Sequence, residues 1–216
     1  MTRTSNVLTL GGAATLALAA VTAGPAAAEP DLLRGSFMEA VLGLAVPVAE
    51  EDYEDTVDES LKLGVRFGSG QAPGGAGWPG LELSLDFTPV NPELDSAAID
   101  ISIQRYRGLV GLRHRIPAGK GALFLRAGIG ADLVHFSARG SILGINFETS
   151  ETDVGLAAEV GAGLMFPIGG NVYVGAHFAV PMAFHFDDDD PGDPDDTDFE
   201  YTGVDLDLLF TIGTVR

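Results

Sequence analysis

The chain has 216 residues, 46% of them hydrophobic, 29 of them glycine and none cysteine, and its 31 acids outnumber 12 bases for a formal charge of −19. Such apolar content excludes a disordered chain, and so acidic a balance excludes a nucleic-acid partner, whose phosphates require clustered Lys and Arg. The lack of cysteine excludes disulfides, thiolate metal sites, a cysteine nucleophile and a lipoprotein anchor.

Residues 1–28 read as a cleavable signal peptide. Arg3 precedes an apolar stretch centred on Leu8 to Val21, and the small residues Ala26 and Ala28 precede Glu29. Gly11, Gly12, Gly24 and Pro25 break that stretch, leaving it shorter than the roughly 20 residues a spanning helix needs. Residues 29–216 are then the mature domain.

From Gly35 onward the apolar residues recur every second position, the period of a strand with two unlike faces. The first strand, Ser36 to Val46, is untidy: Met38, Ala40, Leu42 and Leu44 share a face, while Phe37 and Val41 lie on the other. The second sets Leu61, Leu63, Val65 and Phe67 against Lys62, Gly64, Arg66 and Gly68, and the third sets Leu81, Leu83, Leu85 and Phe87 against Glu82, Ser84 and Asp86. The fourth starts with Ile99, Ile101 and Ile103 and is expected to change phase at a bulge near Arg105. In the fifth, Leu123 to Leu133 alternate with Phe124, Arg126, Gly128, Gly130 and Asp132. In the sixth, Val154 to Leu164 alternate with Asp153, Gly155, Ala157, Glu159, Gly161 and Gly163. The seventh opposes Val172 to Met182 to Tyr173, Gly175 and His177, and the eighth opposes Val204 to Ile212 to Asp205, Asp207, Leu209 and Thr211.

Eight strands joined largely in alternation by short Pro/Gly turns (RIPAGKG, FPIGGN) and longer connections (AEEDYEDTVDES, TPVNPELDS, SARGSILGINFETSET, FDDDDPGDPDDTDFEYTG) predict an all-β fold, with SGQAPGGAGWPG between the second and third strands longer than this rule expects. The expected architecture is an eight-stranded antiparallel up-and-down transmembrane β-barrel, preceded by the signal peptide. A soluble, lipocalin-like carrier with the leucines inside is the alternative, and the polar face decides between them. A water-facing wall would carry Lys, Glu and Thr at most alternate positions, yet many of these positions are glycine. Inside a narrow barrel, glycine makes room for long side chains, so Lys62, Arg66, Glu82, Asp86, Arg126, Asp132, Glu159, His177, Asp205 and Asp207 are expected to form a polar lumen network with cross-strand ion pairs. Trp78, Phe67 and Phe166 near the short turns, and Phe87, Phe184 and Phe186 near the long connections, suit two interfacial belts.

With its export signal, eight strands, LELSLDF alternation and IPAGKG and PIGGN turns, the chain from about residue 35 to 216 resembles the small outer-membrane barrels of Gram-negative bacteria, of the OmpA barrel, OmpX and OmpW kind. The resemblance implies an outer-membrane address, contact with membrane lipid and lipopolysaccharide, and insertion by the barrel-assembly machinery. One feature departs from that pattern. Such chains usually finish with an aromatic residue, whereas this sequence finishes FTIGTVR, with Phe210 well short of Arg216.

Two segments suggest chemistry. FHFDDDDPGDPDDTDFE places Asp187, Asp188, Asp189, Asp190, Asp193, Asp195 and Asp196 together, so loop carboxylates are candidate ligands for divalent cations such as Ca²⁺. The spacing fits no EF-hand, and a solvated, self-repelling loop is the plainer reading. In LVHFSARG, His135 and Ser137 lie two apart, followed by Glu148 and Glu151. This is loosely similar to the His-x-Ser arrangement with a later Glu in PagL-type lipid A deacylases, although Ala138 stands where that family has asparagine. A histidine and a serine at a lipid interface are the simpler account. No motif calls for a cofactor. The expected function is a non-enzymatic outer-membrane barrel with a plugged polar lumen and acidic extracellular loops, for envelope structure or surface interaction. A narrow channel for small or hydrophobic solutes is the alternative.

Overall fold

The computed structural model describes residues 32–33, 35–49, 59–70, 78–90, 99–142, 145–185 and 201–216. The signal segment 1–28, Phe186 and the seven loop aspartates from Asp187 to Asp196 lie outside the described residues.

Eight strands follow one another: β1 (Phe37–Ala49), β2 (Ser60–Gly68), β3 (Gly80–Val90), β4 (Ile99–Ala118), β5 (Gly121–Ile142), β6 (Ile145–Gly169), β7 (Val172–His185) and β8 (Tyr201–Val215). Each pairs antiparallel with the next, and β1 pairs with β8, closing the sheet into a barrel. Closure leaves no sheet edge within the ring, so backbone polar groups there find partners in the wall. The turn after β4 is two residues long and takes Gly119 to φ 62°, while Gly170 in the β6–β7 turn sits at φ 56°. Both values lie in the left-handed region that favours glycine.

The alternation resolves as an inside-out arrangement. Leu81, Leu83 and Leu85 point away from the barrel axis, with Leu81 63% exposed, whereas Glu82 is only 4% exposed and Asp86 is buried. On β5, Leu125 and Ile129 are exposed while Phe124, Arg126 and Asp132 are buried. The outer rows of β4, β5 and β6, apolar or glycine but for His114, run from Ile116, Leu123 and Leu164 up to Tyr106, Leu133 and Val154. About ten steps of roughly 3.3 Å, tilted about 40°, make a belt about 25 Å tall. Trp78, 70% exposed, lies at the tight-turn end, and Phe87 stacks on Tyr106 with centroids 5.1 Å apart at the other.

Three expectations need correction. β4 has no bulge near Arg105: its pairings with β3 and β5 run without a shift from Val90↔Ile103 and Ile99↔Gly140 to the tight turn. Ile101 and Ile103 share their lumen-side face with Arg105 and Arg107, so the backbone phase is constant and it is the surroundings that change. The stretch SARGSILGINFETSET, expected as a long loop, is instead mostly strand. β5 and β6 stay paired as far as Ile142↔Ile145, and only residues 143 and 144 separate them. β1 also runs three residues beyond its expected end at Val46, through an irregularity between Pro47 and Ala49.

Candidate functional site

The inner wall is the most distinctive chemistry of the molecule. Among the described residues, seven basic and seven acidic side chains are buried, all on lumen-facing rows. A lone ion there would carry a desolvation cost of several kcal/mol, so its persistence requires opposite charge within reach. Among the described residues the buried Lys, Arg, Asp and Glu side chains therefore sum to no net formal charge.

At the tight-turn end Leu32, Phe37, Phe124, Met165, Tyr173 and Val215 pack together in a buried apolar layer. Arg115 lies over the Phe37 ring at 4.4 Å and donates to the Leu32 carbonyl at 2.8 Å, tying the segment before β1 into this layer. Just above it, Arg113 sits over Phe37 and Phe124, at 4.3 and 4.6 Å from their ring centres, and contacts Glu39 through both terminal nitrogens. Tyr173 donates to the same carboxylate at 2.7 Å. A planar, delocalised guanidinium suits both the ring faces and the two-pronged carboxylate contact, which a lysine would not reproduce.

Further up, carboxylates are shared. Glu82 meets Arg113 at 2.5 Å and Arg126 at 2.8 Å, with Arg66 at 4.0 Å. Arg126 also bonds Glu159, whose other oxygen is 3.7 Å from Lys62. Lys62 in turn lies 2.6 Å from Asp207 and 3.2 Å from Asp86. Arg66 approaches His177 at 2.6 Å, and since a guanidinium only donates, the imidazole Nε2 accepts. At the loop end Asp132 holds Arg107 at 2.8 Å and Arg105 at 3.2 Å, and Arg105 reaches Asp205 at 2.9 Å. His185 bridges Asp132 and the half-exposed Asp153.

The ten residues read from the sequence as lumen groups are all buried on the inner wall, and their contacts fall into two groups: Lys62, Arg66, Glu82, Asp86, Arg126, Glu159, His177 and Asp207 in one, and Asp132 and Asp205 in the other, nearer the loop end. Glu39 and Arg113 belong to the first group, Arg105, Arg107 and His185 to the second, and Arg115 is buried beside Phe37 at the tight-turn end; all six escaped that reading. The signal was present in RYRGLVGLRHR, where Arg105, Arg107, Arg113 and Arg115 share one parity, but the assumed phase change on β4 hid it. Glycine supplies the space: a Cβ on Gly64 would strike the Asp86 carboxylate, and one on Gly163 would strike His177 and lie 2.8 Å from Phe124.

His135, Ser137 and Glu148 sit elsewhere, on the outer face of the β5–β6 hairpin. His135 Nδ1 lies 2.9 Å from Thr152 Oγ1, and Glu148 pairs with Arg139 at 2.8 Å, both partners being exposed. The acid is thus engaged by an arginine, not by the histidine it would have to orient. Glu151 lies opposite Phe136, on the other face. No group of three metal-ligating side chains occurs among the described residues.

No family model and no curated protein matches the chain by sequence. Solved structures do. A major outer membrane protein from Thermus thermophilus is 12% identical with a TM-score of 0.53, over 84% of this chain and 98% of that one. Ail, the attachment invasion locus protein of Yersinia pestis, is 18% identical over 84% of this chain and 99% of its own, with a TM-score of 0.47. Neisserial surface protein A is 12% identical over 84% and 96%, with a TM-score of 0.43. Together with the closed ring of eight antiparallel strands, the Thermus likeness establishes that the chain has the fold of the small eight-stranded outer-membrane β-barrels.

Proposed function

We propose that this chain is a non-enzymatic outer-membrane barrel whose lumen is filled by paired charges and whose wall displays acidic loops at the cell surface, for envelope structure or surface interaction. One observation carries the reading: an apolar outer belt about 25 Å tall encloses seven buried cations and seven buried anions. A soluble barrel has no use for that polarity, because its outer rows would meet water and its ions would pay desolvation without gain. Export through cleavage after Ala28 and insertion by the barrel-assembly machinery belong to the same proposal, as does contact of the belt with lipid and lipopolysaccharide.

The plugged lumen distinguishes this reading from a solute channel. The apolar layer around Tyr173 and the ion pairs above it support a lumen filled by side chains, as expected of so narrow a barrel. Outer-membrane fractionation with heat-modifiable migration tests address and fold, and planar-bilayer recording tests the plug. The expected result is a membrane-bound, heat-modifiable band without steady conductance. A stable conductance would replace the plug by a channel, and recovery in the soluble fraction would overturn the address.

A further inference from the structure

The second group of buried charges spans the loop end of the lumen. Asp205 on β8 meets Arg105 on β4, Arg105 and Arg107 meet Asp132 on β5, and His185, the last residue of β7, meets both Asp132 and Asp153 of β6. His185 Nε2 lies 3.2 Å from Asp132 and Nδ1 lies 2.5 Å from Asp153. Each ring nitrogen thus faces a carboxylate oxygen, which only accepts. A neutral imidazole has a single N–H, so at one of these contacts two lone pairs would oppose each other; imidazolium alone donates to both. The two contacts differ in medium. The Asp132 side chain is wholly buried, whereas that of Asp153 is 49% exposed. Among the described residues the β6–β7 ladder has its last pair at Leu156↔Phe184, immediately before His185, so the Asp153 contact ties β7 to β6 where backbone pairing between them ends.

We infer that His185 is a proton-operated clasp at the loop end of the barrel, holding β7 to β5 and β6 while its ring is charged and letting go of Asp153 when the ring loses a proton. The surrounding groups decide which contact fails. Arg105 and Arg107 both hold Asp132, Asp205 lies beyond Arg105, Glu151 follows Asp153 on the same face of β6, and Tyr201 stands opposite His185 on β8. Asp132 keeps its two guanidiniums whatever the state of the ring, and its bond to Nε2 runs through buried surroundings, where it is stronger. The remaining proton accordingly stays on Nε2. Nδ1 then turns a lone pair to Asp153, which water can solvate instead. Histidine changes charge between about pH 5 and 8, so the clasp is shut at the acid end and open at the alkaline end. It governs the end of β7 that leads into residues 186–200, a stretch of nine acids and no base whose like charges repel. The clasp needs only the closed ring of strands, and not the surface role proposed above.

The test uses the full mature chain in phospholipid nanodiscs, titrated from about pH 5 to 8. Nitrogen-15 spectra of the His185 ring should show both nitrogens protonated at the acid end and the Nε2–H tautomer at the alkaline end. Hydrogen exchange, corrected for the intrinsic rate at each pH, should show the protection of residues 180–185 falling about tenfold or more over the same range, the worth of one charge-assisted hydrogen bond. His185→Gln, which cannot change charge, and Asp153→Asn should each lose that step, whereas His135→Gln on the outer face should keep it. A neutral ring at the acid end, protection of 180–185 that does not vary with pH, or a step that survives in His185→Gln would overturn the clasp. The spectra and the exchange of the unmutated chain decide the matter even where a variant fails to fold.

Discussion

Within the belt, β4, β5 and β6 turn Arg107 and Asp132 toward the axis and Tyr106, Leu133 and Val154 outward. One outward row higher stand Gln104, His135 and Thr152, then Ser102, Ser137 and Ser150, while Ile103 and Phe136 followed by Ile101 and Ala138 occupy the inner rows. The same strands, in unbroken register, are inside out with respect to themselves across a single step. Nothing in the backbone marks that step, since the alternation of side chains is a property of the pleat and continues regardless. The solvent changes: hydrocarbon below selects apolar side chains outward, and water above selects polar ones.

The comparison is broken most severely by removing one partner from the lower region. Arg113→Ala leaves Glu39 and Glu82 short of a buried cation and should cost about 3–5 kcal/mol in urea unfolding from liposomes. A charge placed on the outer face should then read out the boundary. Ile129→Arg, 72% exposed near the middle of the belt, should cost about 2–4 kcal/mol in the same assay, whereas Ser150→Arg in the upper region should stay within about 0.5 kcal/mol of the parent. Equal penalties at the two positions would mean that both face the same medium.

Smaller effects sharpen the picture. Gly163→Val, whose Cβ would collide with His177, should cost about 1–3 kcal/mol through overpacking, although the residue gained is a better strand former. In the upper sheet, Arg139→Ala removes an ion pair that is 69% and 64% exposed at its two partners, and it should change stability by less than about 1 kcal/mol. A large loss there would show that the hairpin is held by charge and not by its ladder.

These regions also divide what was legible in the sequence. On β2, β3, β5 and β8 the alternation named the inner residues correctly, because the apolar row lies wholly within the belt. On β4 it misled: Ile99, Ile101 and Ile103 set an apolar parity that Tyr106, Val110 and Leu112 then contradict, and a bulge was the only local device that would reconcile them. The structure reconciles them by height instead. Parity fixes which side chains share a face, but the medium outside that face is set by where a tilted strand crosses the boundary, which depends on the register of the whole ring. For the same reason SARGSILGINFETSET read as loop, since its polar row lies where lipid-facing residues were expected. The lumen groups from Lys62 to Asp207 were legible individually, but their connections were not, because Arg126 and Glu82 are brought together only by barrel closure and curvature.

The absence of native cysteine permits the most direct test. Single cysteines at the outward positions 125, 127, 129, 131, 133, 135, 137 and 139 of β5, spin-labelled in liposomes, would report contact with oxygen dissolved in lipid against contact with an aqueous nickel reagent. Lipid contact is expected from Leu125 through Leu133 and aqueous contact from His135 onward, the switch falling between those two neighbours. Aqueous contact along the whole row, or no switch between Leu133 and His135, would contradict the inside-out barrel and the boundary drawn across it.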